Sequence, residues 1–419
     1  MASMSEIDVV VVGGGAAGLA AASRLAGAKV SYVVLEARQR LGGRAYTKEA
    51  AGFPLDLGCG WLHAAQRNPW TKVAEELGFT VDRTRPPWGM LAFDRFFSTA
   101  DQQDFFAAST ALDERLAEAA KQGEDRPASD LLEPSNRWNG LLDAISTYYS
   151  GVELDRLSVL DYDAYREDGV NWRVREGMGA AIARFGAPLC FRLGAPVTAI
   201  DHSGPRLRIE TGAGALTARA AIVAVPTPHI AEERLVLRPA LPKKIAAADS
   251  LPLGLADKLV FEADAALLKE LPENSRLFGH TDRTATGSYH LRPFGRPLIE
   301  GYFGGENARA LERQGERGFV AAALDELARH LGADIARRLT PIASSAWALD
   351  EFALGSYSYA RPGGAGARAV LAEPVDGRLF FAGEATSLTD FSTAHGAYES
   401  GIRAAKEALA ALQAAHSRV

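Results

Sequence analysis

The sequence predicts an α/β protein whose chain weaves between two domains. Three observations carry this expectation: an apolar run meeting a glycine turn at the N-terminal end, a second buried-looking run breaking into Gly-Glu more than 300 residues later, and helix-rich and strand-rich stretches alternating between them without a linker. The first run, Val9-Val10-Val11-Val12, enters Gly13-Gly14-Gly15-Ala16-Ala17-Gly18, an alanine-rich helix pattern follows, and a second apolar run, Val30 to Leu35, ends at Glu36. These pieces form one βαβ unit. Gly13 permits the tight turn, Gly15 lets backbone N–H groups approach a pyrophosphate, and Gly18 allows helix and sheet to pack closely. The helix N-terminus adds unsatisfied donors and a positive dipole end. Glu36 ends the second strand where a carboxylate accepts hydrogen bonds from ribose hydroxyls. The unit therefore predicts Rossmann-like dinucleotide binding, with NAD and FAD undivided by it.

The next segments separate the two cofactors. Glu36-Ala37-Arg38-Gln39-Arg40-Leu41-Gly42-Gly43-Arg44 sets a diglycine and an arginine just past the acid, and Arg44 is able to donate two hydrogen bonds to another face of a pyrophosphate. At the far end, Leu379-Phe380-Phe381-Ala382-Gly383-Glu384 is a short strand opening into a loop, and a helix pattern from Gly396 places Ala397, Ile402, Ala405 and Leu409 on one face. A cofactor long enough to need both ends of the chain is FAD rather than NAD. Between these ends, Trp70 to about Asp168 reads as mainly helical, with Phe105, Leu112, Leu116 and Ala119 at helical spacing. Leu193 to Pro226 reads as β-rich, Leu259–Phe261 and Leu298–Phe303 as further strands, and Phe319 to Leu331 as a helix.

Composition narrows the class. A chain of 419 residues is long enough for two domains, and 47% hydrophobic with 23% charged residues is ordinary for a globular protein. A net charge of −6 argues against nucleic-acid binding. The only cysteines are Cys59 and Cys190, so neither a disulfide framework nor a zinc cluster is expected, and no metal site is assigned. That thiol count suits a reducing cytoplasm. The N-terminus lacks the charged and apolar pattern of a secretory leader, the Val9–Ala22 stretch is too short to span a membrane, and the terminal Ala-Ala-His-Ser-Arg-Val is not a hydrophobic anchor. No membrane partner is expected, and a monomer or homodimer is.

Together these segments resemble the flavin-containing amine oxidases, which include monoamine oxidases, polyamine oxidases and lysine-specific histone demethylases. The resemblance continues through Asp56-Leu57-Gly58-Cys59-Gly60-Trp61-Leu62-His63, Arg175-Glu176-Gly177-Met178-Gly179, Pro196-Val197-Thr198-Ala199-Ile200, Ala224-Val225-Pro226-Thr227-Pro228, Lys258, Trp347, Gly355-Ser356-Tyr357-Ser358 and Thr393-Ala394-His395-Gly396-Ala397, in the family's order. It implies an FAD-binding domain interleaved with an α+β substrate-binding domain, as in amine oxidases and p-hydroxybenzoate hydroxylase. The expected division assigns residues 1–70, 175–250 and 345–419 to the first and 71–174 and 251–344 to the second. The expected FAD contacts are Gly13, Gly15, Ala17, Gly18, Glu36, Ala37, Arg38, Gly43, Arg44, Gly58, Gly60, Trp61, Val197, Gly383, Glu384, Thr393, Ala394 and Ala397.

The resemblance also implies a chemistry: a small amine held against the flavin, oxidation of a C–N bond to an imine, and O2 reduced to H2O2. Lys258 matches the lysine that holds a water near flavin N5 in the family. A lysine within an apolar strand is costly unless paired or hydrated, which gives the position physical weight of its own. Tyr357 matches one of two side chains that stand before the flavin, and Thr393 the other, as in animal spermine and acetylpolyamine oxidases. His63 matches a histidine near the substrate nitrogen of polyamine oxidases, and Trp347 a tryptophan near the flavin. Ser356 stands where monoamine oxidases carry the cysteine bonded to the cofactor; serine forms no such thioether, so non-covalent FAD is expected. Glu153 is the first choice for a carboxylate that anchors a cationic substrate, with Asp155, Glu167 and Asp168 as rivals. The competing functions are a dehydrogenase or desaturase that uses another acceptor, and a flavoprotein interaction module without catalysis.

Overall fold

The computed structural model describes residues 7–416. The readings that rest on residues 1–6 and 417–419, the leader and the C-terminal tail, lie outside the described residues. The predicted βαβ unit is present: strand Ile7–Val12, helix Ala16–Ala26 and strand Tyr32–Leu35, with the two strands parallel. Val9, Val10 and Val11 are fully buried, as an unbroken apolar run in a parallel sheet covered on both faces should be.

This unit sits inside an eight-stranded sheet. In spatial order the strands are Val236–Arg238, Val197–Asp201, Leu207–Thr211, Gly214–Val223, Ile7–Val12, Tyr32–Leu35 and Phe191–Arg192. The ten-residue strand Gly214–Val223 is shared: its first half pairs antiparallel with Leu207–Thr211, and its second half pairs parallel with Leu379–Phe381. That last pairing returns the C-terminal Gly383-Glu384 turn to the sheet that carries the N-terminal glycine turn. The helix that follows, Ala394–His416, buries Ala397, Ala404, Ala405, Ala408 and Leu409 with the alanine face of the first helix. It begins two residues earlier than the periodicity predicts.

A second sheet of five antiparallel strands is built from Ser275–Phe278, Ser288–Leu291, Leu298–Gly304, Ala256–Ala263 and Leu339–Ser344, in that order. Helix Gly305–Leu331, longer than predicted and kinked at Gly315, packs beneath it through Ala308, Leu311, Phe319, Ala323 and Leu327. Helices Thr99–Lys121, Asn139–Ser150 and Val159–Ala164 form the predicted helical stretch, with Phe105, Leu112, Leu116 and Ala119 buried at its centre. Among the described residues no helix is long and apolar enough to cross a membrane.

Candidate active site

Glycine geometry shapes one end of the site. Gly13 has φ 104°, and a Cβ there would stand 2.6 Å from the carbonyl oxygen of Ala224. A Cβ on Gly18 would collide with the carbonyl oxygen of Gly13, so this residue lets the helix start directly over the turn. Gly18 is therefore a packing residue and does not reach the cavity wall. Glu36 is buried; one carboxylate oxygen accepts from the Gly14 N–H at 2.7 Å and the other from the Arg38 N–H at 2.8 Å. Each oxygen keeps a further acceptor position, which is what a ribose diol requires.

The C-terminal turn meets this end through charge. Glu384 is 5% exposed and accepts four hydrogen bonds, from Arg44 Nη1, the Ser358 N–H and hydroxyl, and the Ser392 N–H. Burial would raise its pKa, but Arg44 and Arg368 overcome that and hold it below the ordinary glutamate value. With four acceptor positions filled, the Glu384 carboxylate bears on the site by orienting Arg44 rather than by touching a ligand directly. Arg44 also donates to the Ser356 carbonyl at 2.8 Å.

The opposite wall is the second sheet. Period-two alternation turns Lys258, Tyr302, Glu300, Ser288, His290 and Arg276 to the cavity, while Leu259, Phe303, Tyr289 and Leu277 fill the core beneath. Lys258 Nζ donates to the carbonyls of Asp56 and Gly58 at 2.7 and 2.8 Å, leaving one of its three donor positions free. Burial lowers its pKa. Glu300 is half-buried, which by itself raises its pKa, yet Arg173, His290 and Lys258 bring it down to about 2, and Arg173 binds it through both oxygens. Burial pushes His290 down to about 4. Sequence reading missed Glu300, Tyr302, Ser288, His290 and Arg276, although the alternation in Leu298-Ile299-Glu300-Gly301-Tyr302-Phe303 marks one polar face.

Aromatic side chains close the space between the walls. The Tyr357 hydroxyl donates to the Tyr148 carbonyl at 2.6 Å and accepts from Tyr302 at 3.1 Å. Burial pushes both phenols upward, Tyr302 to about 12, so both stay protonated. Trp61 packs edge-on against Trp88, and the Arg173 guanidinium lies over its other side. Trp347 anchors through an indole bond to the Leu57 carbonyl at 3.0 Å and belongs to the core cluster as much as to the wall. His63 Nδ1 bonds Asn171 Oδ1 at 2.7 Å beside Glu167, and burial lowers its pKa.

Two expectations meet a different geometry. The Thr393 hydroxyl donates to the Asp390 carbonyl and accepts from the Gly396 N–H at 3.0 Å, so it caps the C-terminal helix and is committed to the backbone. Glu153 lies off the cavity; its carboxylate accepts from the Glu306 N–H at 2.7 Å in the first turn of helix Gly305–Leu331, where the N–H groups have no partner within the helix. Asp155 and Asp168 are exposed and also away from the wall, whereas Glu167 is on it. Ser356 is bonded both ways to Ala256, through the N–H and the carbonyl.

All of these walls enclose one cavity of about 1160 Å³. It brings together Gly13, Gly15, Ala17, Glu36, Ala37, Arg38, Gly43, Arg44, Gly58, Gly60, Trp61, Val197, Gly383, Glu384, Thr393, Ala394 and Ala397 with Lys258, Tyr357, His63 and Trp347. A space of this volume, with donors at a helix N-terminus, a diol acceptor and a guanidinium in its wall, fits a dinucleotide, and the lysine and phenols in the same wall are suited to a small second molecule. No group of three or more His, Cys, Asp or Glu side chains suited to a metal occurs among the described residues.

Comparison with known proteins agrees with this geometry. The family model described as flavin containing amine oxidoreductase matches residues 16–155 and 91–409. Polyamine oxidase 2 of Arabidopsis thaliana is 29% identical, over 96% of this chain and 87% of that protein. Polyamine oxidase 3 of Oryza sativa subsp. japonica is 28% identical over 96% and 88%. Among solved structures, cyclohexylamine oxidase from Brevibacterium oxydans superposes with a TM-score of 0.78 at 22% identity, covering 97% of this chain and all of that one. Putrescine oxidase bound to putrescine gives 0.74 at 20% identity, covering 97% and 99%. The glycine turn, the Arg44–Glu384 tie, the shared cavity and the family match together place this chain in the flavin-containing amine oxidoreductases, as an FAD-dependent enzyme acting on amines.

Proposed function

We propose that this enzyme oxidises the C–N bond of a small amine, with polyamines as one class within reach. The substrate amine loses two electrons and two protons to become an imine; water adds, giving an aldehyde and a smaller amine; O2 takes the two electrons and two protons to form H2O2. FAD, when bound, supplies the two-electron chemistry. The observation that carries this reading is one cavity whose wall includes the glycine turn, Glu36 and Arg44 together with Lys258, Tyr302 and Tyr357. Tyr357 and Tyr302, neutral and hydrogen-bonded through their hydroxyls, orient a substrate between aromatic faces. Lys258, held by two carbonyls, keeps one donor to position a water or a proton at the cavity wall. His63 carries a pKa lowered by burial, so its ring is neutral near pH 7 and is able to hydrogen-bond an amine nitrogen. Names of relatives, polyamine oxidase and putrescine oxidase among them, favour the amine class.

We further propose the division into an FAD-binding domain (1–70, 175–250, 345–419) and a substrate domain (71–174, 251–344), which agrees with the residues that build each sheet. The exposed thiol of Cys190 favours a reducing compartment such as the cytoplasm. The test is to mix the yellow holoenzyme in air with polyamines, acetylated polyamines, aryl-alkylamines and amino acids and to record peroxide. Peroxide with one amine class supports the reading. Flavin bleached by an amine only without oxygen, and slow to recover in air, points instead to a dehydrogenase.

A further inference from the structure

The cavity wall holds four arginines, Arg38, Arg44, Arg234 and Arg276. Three are paired, with Asp350, Glu384 and Glu232 respectively. Arg276 forms no ion pair with any carboxylate among the described residues. Its Nε donates to the Ser288 hydroxyl at 3.0 Å, and its guanidinium lies 4.0 Å over the Phe278 ring. Those two contacts fix the plane of the group. Its terminal nitrogens have no protein partner among the described residues, and they are not sealed from the cavity.

The surroundings make this cation unusual. Tyr148 and Tyr149 lie near Arg276, and Phe105, Phe106 and Ile145 line the same cavity. A desolvated guanidinium without a counter-charge is costly, and its fork geometry matches a carboxylate held by two parallel hydrogen bonds. A second ammonium would be repelled from it. The register of the sheet sets its distance from the proposed reacting end. Lys258 lies opposite Tyr302, Tyr302 opposite Ser288, and Ser288 opposite Phe278 on the strand of Arg276. Three strand spacings, about 14 Å of backbone separation, therefore lie between the strands of Lys258 and Arg276.

We propose that Arg276 receives a carboxylate at the far end of the amine substrate, so that the site selects amines bearing a distal carboxylate over diamines and polyamines. The inference rests on the amine-oxidase reading and narrows its substrate class. The spacing excludes an α-carboxylate, which would sit beside the carbon being oxidised. Asp113, Asp163 and Glu167, which also line the cavity, are the groups a wholly cationic chain would seek, and they make the opposite outcome measurable.

The experiment uses the flavin-loaded enzyme and two readouts. The first is anaerobic reduction of the flavin by straight-chain ω-amino acids of four to eight carbons, each beside the alkylamine and the α,ω-diamine of equal length. The best amino acid is expected to exceed both partners at least tenfold in kcat/KM, and Arg276→Gln is expected to erase that advantage while changing the alkylamine rate less than threefold, with partial recovery in Arg276→Lys. The second is the flavin absorbance change on titrating pentanoate and hexanoate, which needs no turnover. Arg276→Gln, with flavin content and melting temperature unchanged, is expected to weaken carboxylate binding at least tenfold, in line with a hydrogen bond to a charged group. If no amine reduces the flavin but carboxylate binding still depends on Arg276, the oxidase reading fails and the carboxylate site stands. Diamines preferred over amino acids, or carboxylate affinity equal in the two proteins, would overturn the proposal.

Discussion

Arg368 offers the sharpest test of how the site is held together. It is 1% exposed, and its Nε and Nη2 bind the two oxygens of Asp161 at 2.6 and 2.8 Å. Its Nη1 donates to the Ser358 hydroxyl at 2.9 Å, and the guanidinium lies 3.7 Å over the Phe391 ring. Ser358 in turn donates to Glu384, which holds Arg44. The chain Asp161–Arg368–Ser358–Glu384–Arg44 thus links helix Val159–Ala164 to the cavity wall at Arg44. Arg368→Met keeps the aliphatic stem and removes the charge, stranding Asp161, itself buried, with only the Ala360 N–H. Leaving one member of a buried pair unpartnered costs about 3–5 kcal/mol. The assay is urea unfolding of the flavin-loaded protein, with FAD content measured alongside. The expected result is a loss in that range, together with weakened FAD retention as Arg44 loses its alignment. Asp161→Asn combined with Arg368→Met is expected to recover part of the stability, because the stranded charge is gone. A loss below about 1 kcal/mol with unchanged FAD would show that solvent reaches this pair, and the reasoning from burial would fail.

Other outcomes follow from single groups. Lys258→Met should slow flavin reduction or reoxidation by about 10²–10⁴, the usual weight of a positioned proton carrier, and unchanged half-reactions in stopped flow would remove Lys258 from the chemistry. Asp257 is fully buried beside Glu312, and burial followed by that second carboxyl raises its pKa well above the ordinary value. Its native pKa exceeds its unfolded one, so stability is greatest below the unfolded pKa, near 4, and falls as pH rises towards the native value. Asp257→Asn should therefore stabilise the protein at pH 8 and not at pH 4, by about 1–3 kcal/mol; equal effects at both values would contradict a raised pKa at Asp257. With Ser356 in place of a cysteine, FAD should leave with the supernatant after acid precipitation, and yellow protein in the pellet would mean a covalent bond elsewhere.

Residues close in sequence, and the two periodicities, were enough to read the glycine turn, Glu36, the helix Phe105–Ala119 face and the C-terminal strand that opens into Gly383-Glu384. Those features depend on local spacing and on backbone conformations that only glycine adopts without cost. The polar face of the second sheet was legible in part, since alternation marks Glu300 and Tyr302 but does not say which face meets a cavity. Lys258 stood out because a lysine among apolar neighbours needs a reason, and the two carbonyls that hold it come from Asp56 and Gly58, about 200 residues away in the chain. The hydrogen bonds of Thr393, which lines the cavity, and of Glu153, which does not, were hidden from the sequence for one physical reason. A hydroxyl or carboxylate next to a helix start is equally suited to a ligand or to the unsatisfied N–H groups of the helix, and only the folded backbone decides between them.

The sequence by itself determined the cofactor class and the family, because a βαβ turn, its acid and the returning Gly-Glu strand are each specified within a few residues. Tertiary structure decided which charges are spent on one another and which remain for a ligand. Glu384 is used up by Arg44 and Ser358, Arg173 by Glu300, and Arg38 by Asp350, while Arg276 keeps its terminal donors open to the cavity. Pairing of that kind joins residues from strands and helices far apart in the chain, and hydrogen-bond capacity is counted only once those elements have met.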